Sequence, residues 1–297
     1  MRARVAVALA TVYVVWGSTY LGIAVSIRTV PPLLMLAGRF LVAGLLLYLW
    51  ARRRSPVRPT ALEWRDAAIS GGLLLLGGTG AVAIAEETVD TGVVALLVGA
   101  MPLWLALFDR KRLGTASLAG LALGFGGVAL LVSPGAAAFA PAALVVMVGT
   151  MCWALGSLAS RRAPHSDPLV GTAMQMLAGG ALLVPAGLLH GEAADLQVPS
   201  LESLAALAYL VVVGSLVGFT AYTWLLRHAG TSLVGTYAFV NPVVAVLLGW
   251  AFLSEDLTQR TLLAGSVIVA GVALIVIAPK RRARPAAHPA AMPVRAR

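Results

Sequence analysis

Long apolar runs, separated by short segments that hold most of the charge, dominate the pattern of this chain. Ten such runs can be drawn, at residues 4–26, 32–51, 67–86, 90–108, 114–133, 141–160, 168–189, 203–226, 231–253 and 260–278. Each approaches or reaches the ~20 residues a helix needs to cross a ~30 Å hydrocarbon layer. Lipid offers backbone amides no partner, so each run has to close its own hydrogen bonds, which a helix does within one segment. The residue-by-residue alternation of a membrane β-barrel is absent. The pattern predicts an all-α membrane protein of ten transmembrane helices.

Composition agrees, with 60% hydrophobic and 11% charged residues among 297; a soluble domain carries about a quarter charged. The net charge of +10 would suggest nucleic acid in a soluble chain, but here the placement of the charges says more. If the amino terminus is cytoplasmic, all of the 22 basic residues except Arg28, Arg39 and Arg260 fall in cytoplasmic segments. Glu86, Glu87, Asp90, Glu192, Asp195, Glu202, Glu255 and Asp256 fall on the opposite side. That bias follows the positive-inside rule and places both termini in the cytoplasm, with no nucleic-acid partner expected. The single cysteine, Cys152, excludes an intrachain disulfide. The first run is too long for a signal peptide and is read as a retained anchor.

The second half repeats the first. "TGVVALLVGAMPLW" from Thr91 aligns with "TSLVGTYAFVNPVV" from Thr231, "GVALLVSP" from Gly127 with "GVALIVIAP" from Gly271, and "WGS" at Trp16 with "WALGS" at Trp153. Each half holds five helices, an odd number, so the second copy enters the membrane from the opposite side. The expected units are residues 1–136 and 137–279, two inverted five-helix repeats, followed by a basic cytoplasmic tail at 280–297, "KRRARPAAHPAAMPVRAR", whose Pro/Ala-rich composition predicts disorder. Opposed copies can exchange conformations, which is the physical basis of alternating access.

"WGSTYLGI" from Trp16, "PPLLMLAGRFLVAG" from Pro31, "AEETVDTGVVALLVGAMPLW" from Ala85 and "YAFVNPVVAVLLGW" from Tyr237 resemble the drug/metabolite transporter superfamily, specifically its EamA-type ten-helix permeases. The resemblance covers about residues 5–279. It implies a central substrate cavity between the halves and export across an inner membrane. Members that resemble this chain are associated with amino acids, metabolites or drugs, so the substrate does not follow from it.

Polar groups inside the apolar runs are the candidate site. Pro242 removes a helix hydrogen bond and frees the carbonyl of Ala238; Pro102 stands at the matching position of the first half. Paired interruptions of this kind point to a binding site, although kinks that only shape packing are the alternative. Asn241 shares a helix face with Tyr237 and suits either substrate contact or interhelical bonding. Arg39 lies seven residues, ~10 Å, from the outer end of its helix, and an intramembrane cation calls for a partner. An Arg39–Glu86 pair is expected, against a reading in which Arg39 reaches the headgroups. Trp16, Tyr20, Trp153 and Tyr222 offer stacking surfaces. Trp50, Trp64 and Trp104 read as interfacial anchors, and Gln175 is a lone polar group at depth. The glycines of residues 71–80, and Gly120, Gly124 and Gly127, predict close helix packing.

No cofactor is implied. There is no "GxxxxGK[ST]" loop for ATP, no Asp-rich cluster for metal-dependent phosphoryl chemistry, and all four histidines sit at helix ends, in loops or in the tail. The expected partners are a small-molecule substrate and membrane lipid, with monomer and homodimer both open. The rival classes are a membrane protein that binds without translocating and, with less support, a membrane-embedded enzyme.

Overall fold

The protein is described here from a computed structural model, covering residues 2–54, 58–108, 115–132, 140–162, 167–229 and 236–277. The expected tail at 280–297 and the basic segment 110–112 lie outside the described residues. The described chain is helical throughout: α1 (Arg2–Ser26), α2 (Pro32–Arg52), α3 (Ala61–Ala85), α4 (Thr91–Val98), α5 (Met101–Phe108), α6 (Thr115–Val132), α7 (Ala140–Arg162), α8 (Pro168–His190), α9 (201–228), α10 (Tyr237–Leu253) and α11 (Gln259–Ile277). Among the described residues, six helices are long and apolar enough to cross a membrane, within α1, α2, α3, α7, α8 and α9, and four apolar helices are shorter. This is a multi-span membrane protein.

Local chemistry sets several of the boundaries. Pro32 opens α2 at a position where its missing N–H costs nothing. Thr60 and Glu63 form a reciprocal capping box, which starts α3 six residues before the apolar run expected at 67–86. The run expected at 90–108 is interrupted at Gly99 and Ala100, between α4 and α5. Two helices change their winding in mid-course: α3 is π-helical over Gly72–Thr79 and α9 over Leu210–Val217. Wider turns of this kind free backbone groups from the regular ladder and occur often at functional sites.

Helices far apart in sequence pack antiparallel through small residues. A methyl added at Gly44 would fall 2.9 Å from Met176 Cβ, one at Gly180 would meet Leu41 N at 3.0 Å, and one at Gly187 would meet Leu34 at 3.0 Å. As the α2 number falls the α8 number rises, so these two helices run in opposite directions along most of their length. Gly92 faces Val246 while Gly99 faces Pro242, which sets α4 antiparallel to α10. Gly127 faces Ala264 and Ile268 while Gly271 faces Gly120 and Gly124, which sets α6 antiparallel to α11. The close packing expected of Gly120, Gly124 and Gly127 is thus made against α11.

Candidate substrate cavity

A cavity of about 460 Å³ lies between α1, α2, α3, α4, α5, α7, α8, α9 and α10, within the ~300–1,000 Å³ range of small-molecule sites. α6 and α11 stand outside it. Its mouth is at exposed Arg161, in the last turn of α7, and at Pro168, which opens α8. Its floor is made by Tyr20, Ile23, Arg39 and Phe40, all buried.

Ten of the eleven residues expected at the site line this space. Trp16 and Tyr20 come from α1, Arg39 from α2, Pro102 from α5 and Trp153 from α7. Gln175 on α8, Tyr222 on α9, and Tyr237, Asn241 and Pro242 on α10 complete the group. Glu86 is not among the lining residues.

Trp16 is the centre of an aromatic cluster. It packs edge-on against Phe219 at 5.4 Å and Tyr237 at 5.2 Å, and lies 4.9 Å from Tyr222. Such pairs add roughly 0.5–1.5 kcal/mol each beyond simple burial, so the cluster is a firm wall. Gly78 makes room for Trp153, since a methyl there would sit 3.3 Å from the indole. Gln175 donates to Ser160 Oγ at 2.8 Å. Trp104 departs from its expected place at the interface: its indole N–H donates to Thr150 Oγ at 3.0 Å and its ring packs on Phe125, because α5 lies against α7 at mid-helix. Trp50 does sit at a helix end, beneath the Arg54 guanidinium at 4.1 Å.

The two matched prolines behave differently. Pro242 lies inside α10, whereas Pro102 falls in the first turn of α5, so in the first half the interruption itself is at Gly99 and Ala100. The interruptions meet, because a methyl on Gly99 would lie 3.1 Å from the Pro242 ring. With its amide nitrogen turned to the acceptors, Asn241 donates to Tyr13 O at 3.3 Å and Tyr237 O at 3.2 Å. It therefore ties α10 to the backbone of α1 while also lining the cavity.

The expected Arg39–Glu86 pair is not formed. Arg39 Nε donates to Ser215 Oγ at 3.1 Å, in the π-helical part of α9, and its guanidinium lies 4.9 Å from the Phe40 ring. Both carboxylate oxygens of Glu86 are buried without a hydrogen-bond partner among the described residues. The reason is depth. Glu86 caps the end of α3, while Arg39 is seven residues, ~10 Å, down α2 from Pro32.

Above the floor, the acidic end is closed by contacts from distant parts of the chain. Gly191 and Ser254 both take left-handed backbone, with φ of 93° and 58°, at the ends of α8 and α10. Each turns the chain back so that the next residue, a glutamate, meets the start of another helix. Glu192 accepts from Leu33 N at 2.9 Å and Leu34 N at 2.8 Å. Glu255 accepts from Thr91 N and Thr91 Oγ, each at 2.7 Å, and from Gly92 N at 3.0 Å. A carboxylate here satisfies helix amides that have no partner within their own helix and complements the helix dipole. Hydroxyls join α1 to α9: Ser203 Oγ donates to Val25 O at 3.0 Å, Ser26 Oγ to Ser203 O at 3.3 Å, and Ser200 N to Thr29 Oγ at 3.0 Å. The acids crowd at this end. Partial burial, then Glu255 and Asp256, hold Asp90 above the usual carboxylate range; burial first, with Glu192 and Asp195 also contributing, does the same to Glu87 against the opposing pull of His190.

Sequence reasoning did not find Ser215, Phe219, Thr79 or Arg161, nor the two capping glutamates. Ser215, alone in "VVVGSLVG", carried a signal of the same kind as Gln175. A glutamate just past a helix end, read as an outer charge, carries none.

The chain matches the EamA-like transporter family over residues 4–133 and 140–277. It is 37% identical over 275 residues to the Uncharacterized inner membrane transporter YedA of Escherichia coli (strain K12), covering 91% of this chain and 90% of the relative. It is 29% identical over 276 residues to Protein PecM of Dickeya dadantii (strain 3937), covering 88% of each. A solved crystal structure, 21% identical, superposes with a TM-score of 0.64 over 93% of this chain and 98% of the other, a likeness of fold. With both halves matched and a relative at this identity over nine-tenths of the chain, the protein belongs to the EamA-like transporter family and is a multi-span membrane transporter.

Proposed function

We propose that the protein exports small metabolites, amino acids or drugs by alternating access, as two inverted five-helix units of residues 1–136 and 137–279 spanning the membrane ten times. The observation that carries this reading is a cavity lined by both units that, among the described residues, reaches exposed Arg161 at the arginine-rich end and is closed at the acidic end. The antiparallel pairs α4 with α10 and α6 with α11 join sequence-matched segments, and α2 with α8 joins the second helix of each half, as opposed copies require. With arginines cytoplasmic, both termini are inside and the structure is the inward-open state. YedA's designation as an inner membrane transporter supports placing this chain in an inner membrane too. No protein chemistry is required of the site, and the cavity residues serve binding.

Accessibility of the cavity tests the cycle. Cys152→Ala removes the native thiol, and Ser157→Cys places a new one on the cavity wall. In sided vesicles, membrane-impermeant thiol reagents are expected to label Cys at 157 from the cytoplasmic face at rest and from the opposite face during turnover. Labelling from one face under every condition, together with no solute flux in proteoliposomes, would leave a binding protein that does not translocate.

A further inference from the structure

We propose that the cavity is built for organic monoanions: small carboxylates with an apolar or aromatic body, the carboxylate held by Arg39. The proposal deepens the transport reading and, for flux, rests on it.

Arg39 is 5% exposed, yet lines the cavity floor. A guanidinium has five N–H donors in a planar fork, and among the described residues the one hydrogen bond made here is from Nε to Ser215. Nη1 and Nη2, the pair that grips a carboxylate with two parallel bonds, hold no partner among the described residues. No described carboxylate lies within ion-pair distance of Arg39. Glu86, the acid nearest in expectation, sits apart at the end of α3.

The charges around the cavity are one-sided. Among the described residues its lining includes Arg39 and Arg161, and no Asp, Glu, Lys or His. A cation would enter against two positive charges with no counter-charge to receive it. A zwitterion could bring its carboxylate to Arg39, but its ammonium would lose its water with no acid in exchange. A neutral solute would leave the buried guanidinium uncompensated. A monoanion compensates it, and a dianion would exceed the single charge at the floor. Around Arg39 the lining is largely apolar, with Ile23, Phe40, Leu75 and Val82 beside Thr19, Tyr20 and Thr79, so most atoms next to the carboxylate should be hydrocarbon. The rings of Trp16, Phe219, Tyr222 and Tyr237 largely meet edge to face; they form a wall for an apolar body and do not stand open as a cage around a cation. Exposed Arg161 at the mouth would draw anions from the arginine-rich side.

The test uses the purified full chain and four solutes that share one ring and differ in charge: phenylacetate, phenylacetamide, phenethylamine and phenylalanine. Binding is read from the quenching of intrinsic tryptophan fluorescence, to which Trp16 and Trp153 in the cavity contribute, and flux from labelled solute in proteoliposomes. The expected result is that phenylacetate binds at least tenfold more tightly than the amide or the amine, and more tightly than the zwitterion. Arg39→Gln should remove that tenfold preference by weakening phenylacetate binding relative to phenylacetamide, and Arg39→Lys should retain part of it. The charge series on the unaltered protein needs no variant to fold. Equal binding of amide and acid, tighter binding of the amine or of phenylalanine, or no binding of phenylacetate overturns the proposal. If phenylacetate binds with the expected preference and is not carried, the anion site stands and the transport reading falls; if phenethylamine is carried instead, the reverse holds.

Discussion

Replacing Glu255 by alanine should destabilise the protein more than any other single change at its acidic end. The carboxylate receives two backbone amides and one hydroxyl, from Thr91 N and Oγ at 2.7 Å and from Gly92 N at 3.0 Å. Hydrogen bonds to a charged group contribute about 1.5–3 kcal/mol each, and a buried donor left unpaired costs about 1–3 kcal/mol. Glu255 is only part-buried, so water replaces some of the loss, and a total of about 2–4 kcal/mol is the reasonable expectation. At about 2 °C per kcal/mol for a chain of this size, the thermal midpoint of the purified protein should fall by about 4–8 °C.

Glu255→Gln separates charge from shape. Its amide oxygen can still accept from Thr91, but its NH₂ group would face the Gly92 N–H, so about half the loss should remain. Gly249→Ala reaches the same contact from the other side, because a methyl there would press on the Glu255 carboxylate and Thr91 Oγ. Its effect should be non-additive with Glu255→Ala, since both remove one cap. The reasoning is refuted if Glu255→Ala unfolds within about 1 °C of the parent, or if the two losses simply add.

Glu192→Ala should lower the midpoint in the same way by about 2–3 kcal/mol, read by thermal unfolding, because Leu33 N and Leu34 N lose their acceptor. Asp90 has its pKa raised in the fold by partial burial and by Glu255 and Asp256; its contribution to stability is therefore present below the ordinary aspartate range and lost as pH rises through the folded value. Asp90→Asn should accordingly stabilise at pH 7, by less than ~0.5 kcal/mol after solvent screening, and the gain should vanish when melting is repeated below about pH 3.8. Ser254→Gly should raise the midpoint by the equivalent of about 1 kcal/mol, since a serine at φ 58° pays a penalty glycine does not. Cysteines at Ser26 and Ser203, bridged by oxidation in a Cys152→Ala background, should stop flux reversibly; full flux through the bridged protein would show that this contact need not open.

How much of this was legible beforehand depended on whether a feature is local. The bounds of α2 and α8 follow from apolar runs that end in prolines, arginines or a histidine, and hydropathy reads those directly. Trp16, Arg39, Trp153 and Asn241 could be placed at the cavity because a polar or matched residue in lipid has few other uses. The π-helical turns could not be read, since a shift from one hydrogen-bond offset to another leaves no mark in an apolar stretch such as "GLLLLGGT". That shift affects which residue faces Arg39. The pair assigned to Glu86 failed because the sequence order of two helices says on which side their ends lie, and does not say how deep each side chain sits. Glu192 and Glu255 were recognised as outer charges, but their acceptor role joins residues 159 and 164 positions apart, beyond any local pattern.

These contacts divide the molecule into parts that hold and a part that can yield. α2 and α8 interlock through Gly44, Gly180 and Gly187 and are joined at the top by the Glu192 carboxylate; α4 and α10 interlock through Gly92 and Gly99 and are joined by Glu255. Separating either pair would break charge-assisted bonds and open close-packed backbone, at several kcal/mol each. At the same end α1 and α9 meet through serine and threonine hydroxyls, bonds between neutral groups whose net worth is about 0.5–1.5 kcal/mol each and which water replaces readily, and through an exposed Arg28–Glu202 ion pair at 3.8 Å, which at such exposure adds about 0–1 kcal/mol. Below that seam, α9 carries the π-helical turns whose Ser215 holds Arg39, so a displacement of α9 from α1 would move the floor of the cavity as it opened the end above it. In the proposed cycle the least costly opening of the acidic end is therefore a parting of α1 from α9 with the glutamate-capped pairs moving as rigid bodies, and Arg39, the residue proposed to hold the solute, lies on the path of that motion.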